Sequence, residues 1–285
     1  MSGGLARPLG FSFLYFGPRI GEAHAPWFER AAAHGYDGVE LPVAAAADGE
    51  LAFLRGAAER HGLRTTAVGF CTAAANPIDV DPAVRRAAVE HLGLLAERAT
   101  AVGAAVLAGP IHSAYGVWTG APPTADERAR CAEVLHAAGE RAARCGVVLC
   151  VEPLNRFECY LLNTAADCAA IVRAADHPNV TGCLDTHHAH LEENDIAAAI
   201  AQHRGTLGHV QLSENHRGTP GTGQVDFARV LRALDGIGYD GWLVVEAFSR
   251  HDPAFGTALH VWRALDDGPD AVMAAGAALL GRGRD

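Results

Sequence analysis

The chain has no lysine: all 23 of its basic side chains are arginine. An imine between an enzyme amine and a substrate carbonyl needs a lysine, and so does the aldimine of enzyme-bound pyridoxal phosphate. Both chemistries are excluded. Positive charge is scarce overall, because 33 acidic residues leave a net charge of −10. The basic surface that nucleic acid requires is therefore not expected. The seven cysteines include no CxxC pair and are odd in number, which argues against a disulfide framework or a zinc–thiolate site. No run approaches the ~20 apolar residues of a membrane span. The opening segment, MSGGLARPLG, lacks the apolar core of a secretory signal. A reducing cytoplasm is the expected compartment.

What is present is regular alternation. Apolar, β-branched runs recur at 9–16, 37–43, 64–70, 104–109, 147–153, 180–186, 207–213 and 241–247. Between them lie Ala-, Leu-, Glu- and Arg-rich stretches with helical spacing, such as VRRAAVEHLGLLAERATAVG and DERARCAEVLHAAGERAARCG. In the second, Asp126 or Thr124 is placed to cap the start and Gly146 to stop the helix. Strand and helix in turn imply a parallel sheet, and eight units imply closure into a single-domain (β/α)₈ barrel over residues 1–285. An open doubly wound sheet would predict a Gly-rich dinucleotide loop after the first strand, and FLYFGPRIG is not one. The stretches PIHSAYGVWTGAPPTAD and NHRGTPGTGQVD read as long loops on the catalytic face. Residues 276–285, ending GRGRD, read as a frayed tail.

Four side chains end successive apolar runs: Glu152 in VVLCVE, Asp185 in VTGCLD, Gln211 in LGHVQ and Glu246 in WLVVE. Their intervals of 33, 26 and 35 residues are close to the length of one strand–helix–strand unit. Barrel enzymes place their chemistry at that end of their strands. Three carboxylates and an amide converging there repel one another unless a cation sits among them. An all-oxygen set favours Mn²⁺, with Mg²⁺ or Co²⁺ as alternatives.

Around these four lie further candidates. His188 follows Asp185 in DTHHAH and with His187 and His190 forms a cluster that could itself bind metal; its place past a strand end suits substrate contact, with the other two expected to be exposed. Glu158 and Arg217 occupy the loops after the fifth and seventh strands, as substrate contacts or as a loop-to-loop ion pair. Glu40 ends the second strand as a cleft residue. The glycines of RGTPGTG serve a turn or cradle a phosphate. The loop holding Tyr115, Val117 and Trp118 covers substrate or joins an interface.

The segments VEPLNRFE, LDTHHAHLEE and SENHRGTPGTG resemble the xylose-isomerase-like barrel superfamily, and within it the ketose 3-epimerases of the D-tagatose/D-psicose type. The resemblance spans nearly the whole chain and is most specific between residues 150 and 250. It implies metal ligands at Glu152, Asp185, Gln211 and Glu246, and substrate contacts at Glu158, His188 and Arg217. It also makes Glu152 and Glu246 the acid/base pair. One position departs: the epimerases carry histidine where this chain has Gln211, and a Glu–Asp–Gln–Glu set is similar to hydroxypyruvate-isomerase-like relatives. The activity implied is metal-dependent inversion of a ketose or related keto-sugar at C3 through a cis-enediolate, with no organic cofactor. Aldose–ketose isomerisation and a sugar-binding or partner subunit with a degenerate site are the competing readings. Relatives of this kind imply a homodimer or homotetramer.

Overall fold

Each of the eight apolar runs becomes a strand hydrogen-bonded in parallel to the next, and the last closes on the first. In the computed structural model, which describes residues 7–282, the strands are β1 Leu9–Ser12, β2 Gly38–Pro42, β3 Arg64–Val68, β4 Val106–Gly109, β5 Val148–Val151, β6 Val180–Asp185, β7 Leu207–Ser213 and β8 Trp242–Glu246. The helices around them are α1 Ala25–Ala33, α2 Asp48–Arg60, α3 Pro82–Ala101, α4 Ala125–Arg144, α5 Ala165–Ala175, α6 Thr186–Glu192, α7 Ile196–Gln202, α8 Phe227–Ile237, α9 Pro253–Ala258 and α10 Pro269–Leu279. No helix among the described residues is long and apolar enough to cross a membrane. All seven cysteines are free.

Local chemistry accounts for the boundaries. At the start of α4 the Thr124 hydroxyl accepts from the Glu127 N–H, and the Glu127 carboxylate takes the Thr124 N–H at 2.7 Å. That reciprocal pair satisfies two amides the helix cannot, and it selects Thr124 over Asp126 as the cap. At the other end Gly146 takes φ +68°, the left-handed turn that lets the chain re-enter the sheet. At the end of β4, Gly109 has φ +133°, and a Cβ there would stand 2.0 Å from the carbonyl oxygen of Gly69. Only glycine permits that approach.

Two expectations need correction. The run 9–16 is a strand only as far as Ser12, after which Phe13–Phe16 form a 3₁₀ turn. Residues i and i+3 of such a turn lie on one side. It therefore buries Phe13 and Phe16 together, their rings 5.2 Å apart, where a strand would send them to opposite faces. At the C-terminus, α10 continues through the supposed tail to Leu279, with Gly276 and Ala277 buried. Arg282 then pairs with Asp37 and with the carbonyls of Gly35 and Arg7. An apolar face to bury and an ion pair to anchor it hold this segment down. Residues 1–6 of the opening segment and residues 283–285 of the tail lie outside the described residues.

Candidate active site

Alternate residues of a strand face the same side of a sheet, and here that rule carries polar groups to the barrel axis. Ala108, Cys150 and Cys183 form a small buried cluster of their own. Two residues beyond the two cysteines come Glu152 and Asp185. On β7 the buried polar residues are His209, Gln211 and Ser213, and on β8 Glu246 follows Val244 at the same spacing. Register sets their heights. Asp185 lies level with Gln211, and Gln211 with Val244, whereas Glu246 lies level with Ser213. Gln211 is thus one inward step deeper than Glu246.

Above them opens a cavity of about 520 Å³. Its polar wall consists of Glu152 and Glu158 from β5 and its loop, His188 from α6, Arg217 after β7, and Glu246. Further lining, from β2 and the loops after β1, β3 and β8, is largely apolar, with Leu14, Pro42, Phe70, Phe255 and Leu259 beside Thr72 and His91, while Phe248 lies against Arg217. Asp185 and Gln211 lie beneath the cavity, not in its lining. Tyr115 reaches the lining, whereas Val117 and Trp118 are exposed outside it.

The polar wall is tied together by hydrogen bonds. The amide N–H of Asn155 donates to His188 Nδ1 at 2.9 Å. In the neutral ring the proton is then on Nε2, which faces Arg217 Nη2 at 2.9 Å and Glu152 Oε1 at 3.5 Å. Burial pushes the His188 pKa well below the usual range, aided by Arg217, so the ring is neutral. A guanidinium cannot accept, so these two donors do not bond one another, and an acceptor oxygen placed between them would satisfy both. Arg217 also pairs with Glu158 at 3.0 Å and lies 4.7 Å over the Phe248 ring. It does so from φ +60°, a conformation that costs a non-glycine residue of order 1–3 kcal/mol and turns the guanidinium into the cavity. The ion pair between Glu158 and Arg217, the alternative to substrate contact, is present, and it lies inside the site.

Burial raises the Glu152 pKa well above the ordinary carboxylate value, and the charges of Glu246 and Asp185 raise it further. Glu246 is raised by burial and then by Asp185. Asp185 is raised by burial, against the pull of Arg217 and of its hydrogen bonds from Ser213 and the His187 and His188 amides. Burial opposes the charge of Arg217, but Glu158, Glu246, Asp185 and Glu152 hold it protonated. One guanidinium cannot offset so many acids in a dry site.

Beneath the cavity lies a network that the sequence reading missed. Glu40, fully buried, accepts from His209 Nε2 at 2.8 Å and from Gln211 Nε2 at 3.2 Å. The same Gln211 nitrogen donates to Glu246 Oε1 at 3.1 Å, and its oxygen accepts from Cys183 Sγ. An amide nitrogen between two carboxylates is the only sensible orientation. In this arrangement Gln211 donates to Glu246, with its oxygen turned away. Glu40 belongs to this buried layer and not to the cleft. Asn155, His209 and Ser213 had a signal available: all lie within four residues of a candidate already named.

A divalent cation fits Glu152, Asp185 and Glu246, hard oxygen donors whose mutual repulsion burial magnifies. A second group, Glu158, His187 and His188, brings one ligand atom each within 4.8 Å of one another, a spacing the three carboxylates do not match. The chemistry favours the carboxylates all the same. The lone pair of His188 Nδ1 is taken by Asn155, its Nε2 carries the proton, and Arg217 adds positive charge beside it. His187 is half-buried, bonded to the Asn215 carbonyl, while His190 is exposed. In the loop RGTPGTG the N–H groups of Arg217, Gly218, Gly221 and Thr222 are taken by the Glu214 carbonyl, His216 Nδ1, Glu214 Oε2 and the Thr219 carbonyl, which fits a turn and not a phosphate cradle.

Comparison with known proteins agrees with this architecture. The D-psicose 3-epimerase of Ruminiclostridium cellulolyticum is 32% identical over 251 residues, 87% of this chain and 86% of that one. A crystal structure of D-allulose 3-epimerase from Methylomonas sp., in complex with D-allulose, superposes with a TM-score of 0.88 at 30% identity, covering 98% of both chains. The 3-dehydro-D-guloside 4-epimerase of Escherichia coli is 36% identical over 129 residues, 45% of this chain and 49% of that one. The family model for the xylose isomerase-like TIM barrel matches residues 28–270, and the chain belongs to that family.

Proposed function

We propose that this protein inverts C3 of a ketose or related keto-sugar, using Glu152 and Glu246 as the acid/base pair. That it is an enzyme acting on carbohydrates follows from its family and its relatives, which include D-psicose and L-ribulose 3-epimerases. The observation that carries the finer reading is the pairing of two buried glutamates on one cavity. They come from strands separated by two others, beside a neutral imidazole and a guanidinium that offer N–H groups to one oxygen.

In this reading Glu152, Asp185 and Glu246 hold a divalent cation, with Mn²⁺ the preferred ion. When bound, the cation supplies electrophilic stabilisation of negative charge on substrate oxygens. One removes the C3 proton, and the other delivers a proton to the opposite face. His188 Nε2–H and Arg217 steady the oxygen that gains charge, and Glu158 receives hydroxyls at that end. Gln211, held by Glu40, positions the Glu246 carboxylate.

The test is NMR of ketoses incubated in D₂O with Mn²⁺-loaded protein. Deuterium at C3 together with a new epimer is the expected result. Label at C1 or C2 with aldose formation would replace this reading with aldose–ketose isomerisation.

A further inference from the structure

The end of the barrel opposite the mouth holds a second cavity, which the proposed chemistry does not use. β2 and β3 are paired from Gly38 and Arg64 onward, and β4 and β5 from Val106 and Val148. β3 and β4 are paired only from Ala67 and Leu107, so the wall of the barrel parts at its lower edge. A cavity of about 330 Å³ lies in that opening. It equals the liquid volume of about eleven waters and stands at the lower end of the range for small-molecule sites. Ala58, Leu63, Val102, Ala105 and Val106 give it an apolar lining. The Thr65 hydroxyl, also in the lining, donates to the Val102 carbonyl at 2.9 Å.

Charge enters from one side, where Arg55, Glu59 and Arg64 meet the cavity. Arg55 bonds Glu59 at 2.8 Å, which leaves one positive charge, that of Arg64. Its guanidinium lies 4.6 Å over the centre of the Trp242 ring. It has no ion-pair partner among the described residues, in a chain whose 33 acidic residues outnumber 23 basic ones. The indole is held in place across the foot of β2, where a Cβ on Gly38 would stand 2.6 Å from Trp242 Cη2. A guanidinium stacked on a ring keeps its N–H groups in its own plane, open to two parallel bonds with an oxyanion. Hydroxyls on the body of a ligand would lose water to a lining that bonds them poorly, whereas a flat apolar body would not.

We propose that this lower cavity binds a small aromatic carboxylate, with the carboxylate on Arg64 and the ring in the apolar recess between β3 and β4. The site is separate from the mouth and does not depend on the reaction assigned there.

Isothermal titration of the full chain with 2-naphthoate tests it, beside the neutral 2-naphthalenemethanol and inorganic sulfate. One naphthoate per chain is expected to bind, and both comparison compounds at least tenfold more weakly. Arg64 and Ala105 are exposed, so the fold tolerates a change at either. Arg64→Gln should weaken naphthoate roughly ten- to a hundredfold, the range for losing hydrogen bonds to a charged group. Ala105→Phe should fill the recess and abolish binding with Arg64 intact. No saturable binding by the unaltered protein at millimolar naphthoate overturns the proposal, and so does binding that survives both substitutions. Equal binding of the neutral alcohol would refute the role of Arg64, and sulfate binding as tightly as naphthoate would refute the aromatic ligand.

Discussion

Replacing Gln211 by leucine probes the layer beneath the cavity. The side chains are similar in size and the site is fully buried, so the change is chiefly the loss of an amide. Two donor contacts disappear, at 3.2 Å to Glu40 and 3.1 Å to Glu246. Hydrogen bonds to charged groups contribute about 1.5–3 kcal/mol each. Glu40 keeps His209 and a long contact from Thr66, whereas Glu246 loses its one side-chain partner among the described residues. Allowing about 1–2 kcal/mol for the better burial of leucine, the net loss is about 3 kcal/mol. With an m-value of about 3 kcal/mol/M, the urea midpoint of chelator-treated protein falls by roughly 1 M. Gln211→Glu gives the pH signature. A carboxyl between two carboxylates keeps its proton, so its folded pKa lies above the unfolded ~4.3. The unfolded chain then binds fewer protons than the folded one. Relative to the parent, stability is steady below about pH 4 and falls by about 1.4 kcal/mol per unit as pH rises above it. A Leu variant within about 0.5 kcal/mol of the parent, or a Glu variant with no such slope, refutes the assigned role of this amide.

Glu246→Gln keeps the shape of the site but removes a proton carrier. Turnover should fall by roughly 10²–10⁴-fold with the circular dichroism spectrum unchanged, and near-normal kcat would sink the acid/base assignment. Arg217→Lys cannot reproduce a fork that meets Glu158, His188 and the Phe248 face at once. A drop in kcat/KM of about ten- to a hundredfold is expected from steady-state kinetics on the preferred ketose. His203 is buried, and burial pushes its pKa down to about 4. The unfolded chain protonates near 6.5 and the folded one does not. Stability therefore falls by about 1.4 kcal/mol per unit as pH drops from about 6.5 to 4. Urea titrations at about pH 7 and pH 5 should show that loss shrinking in His203→Gln.

The barrel was legible because strand and helix periods are local. Eight apolar runs place the eight strands, and Thr124 with Glu127 starts a helix without help from tertiary structure. The 3₁₀ turn at Phe13–Phe16 was not legible, since it answers to rings brought in from elsewhere in the fold, Phe28 and Trp27 among them. The candidate site divides in the same way. Glu152, Asp185 and Glu246 announce themselves as charges that end apolar runs. What an interior amide faces is set by the barrel's shear, and no spacing within one strand reveals that β2 stands opposite β7. Hence Glu40 reads as a cleft residue, and the hydrogen bonds that Gln211 gives to Glu40 and Glu246 go unread, until both are seen across the axis. The alternation His209, Gln211, Ser213 did hold a clue. Three polar residues on the inward face of a strand cannot all reach one ion at its end, so some must bond to one another. Gln211 is therefore understood by what lies below it as much as by its place at the end of a strand. An amide that spends both its hydrogens on Glu40 and Glu246 ties the buried layer to the reacting one. A change at Glu40 or His209, neither of which lines the cavity, should thus be felt at Glu246 through Gln211.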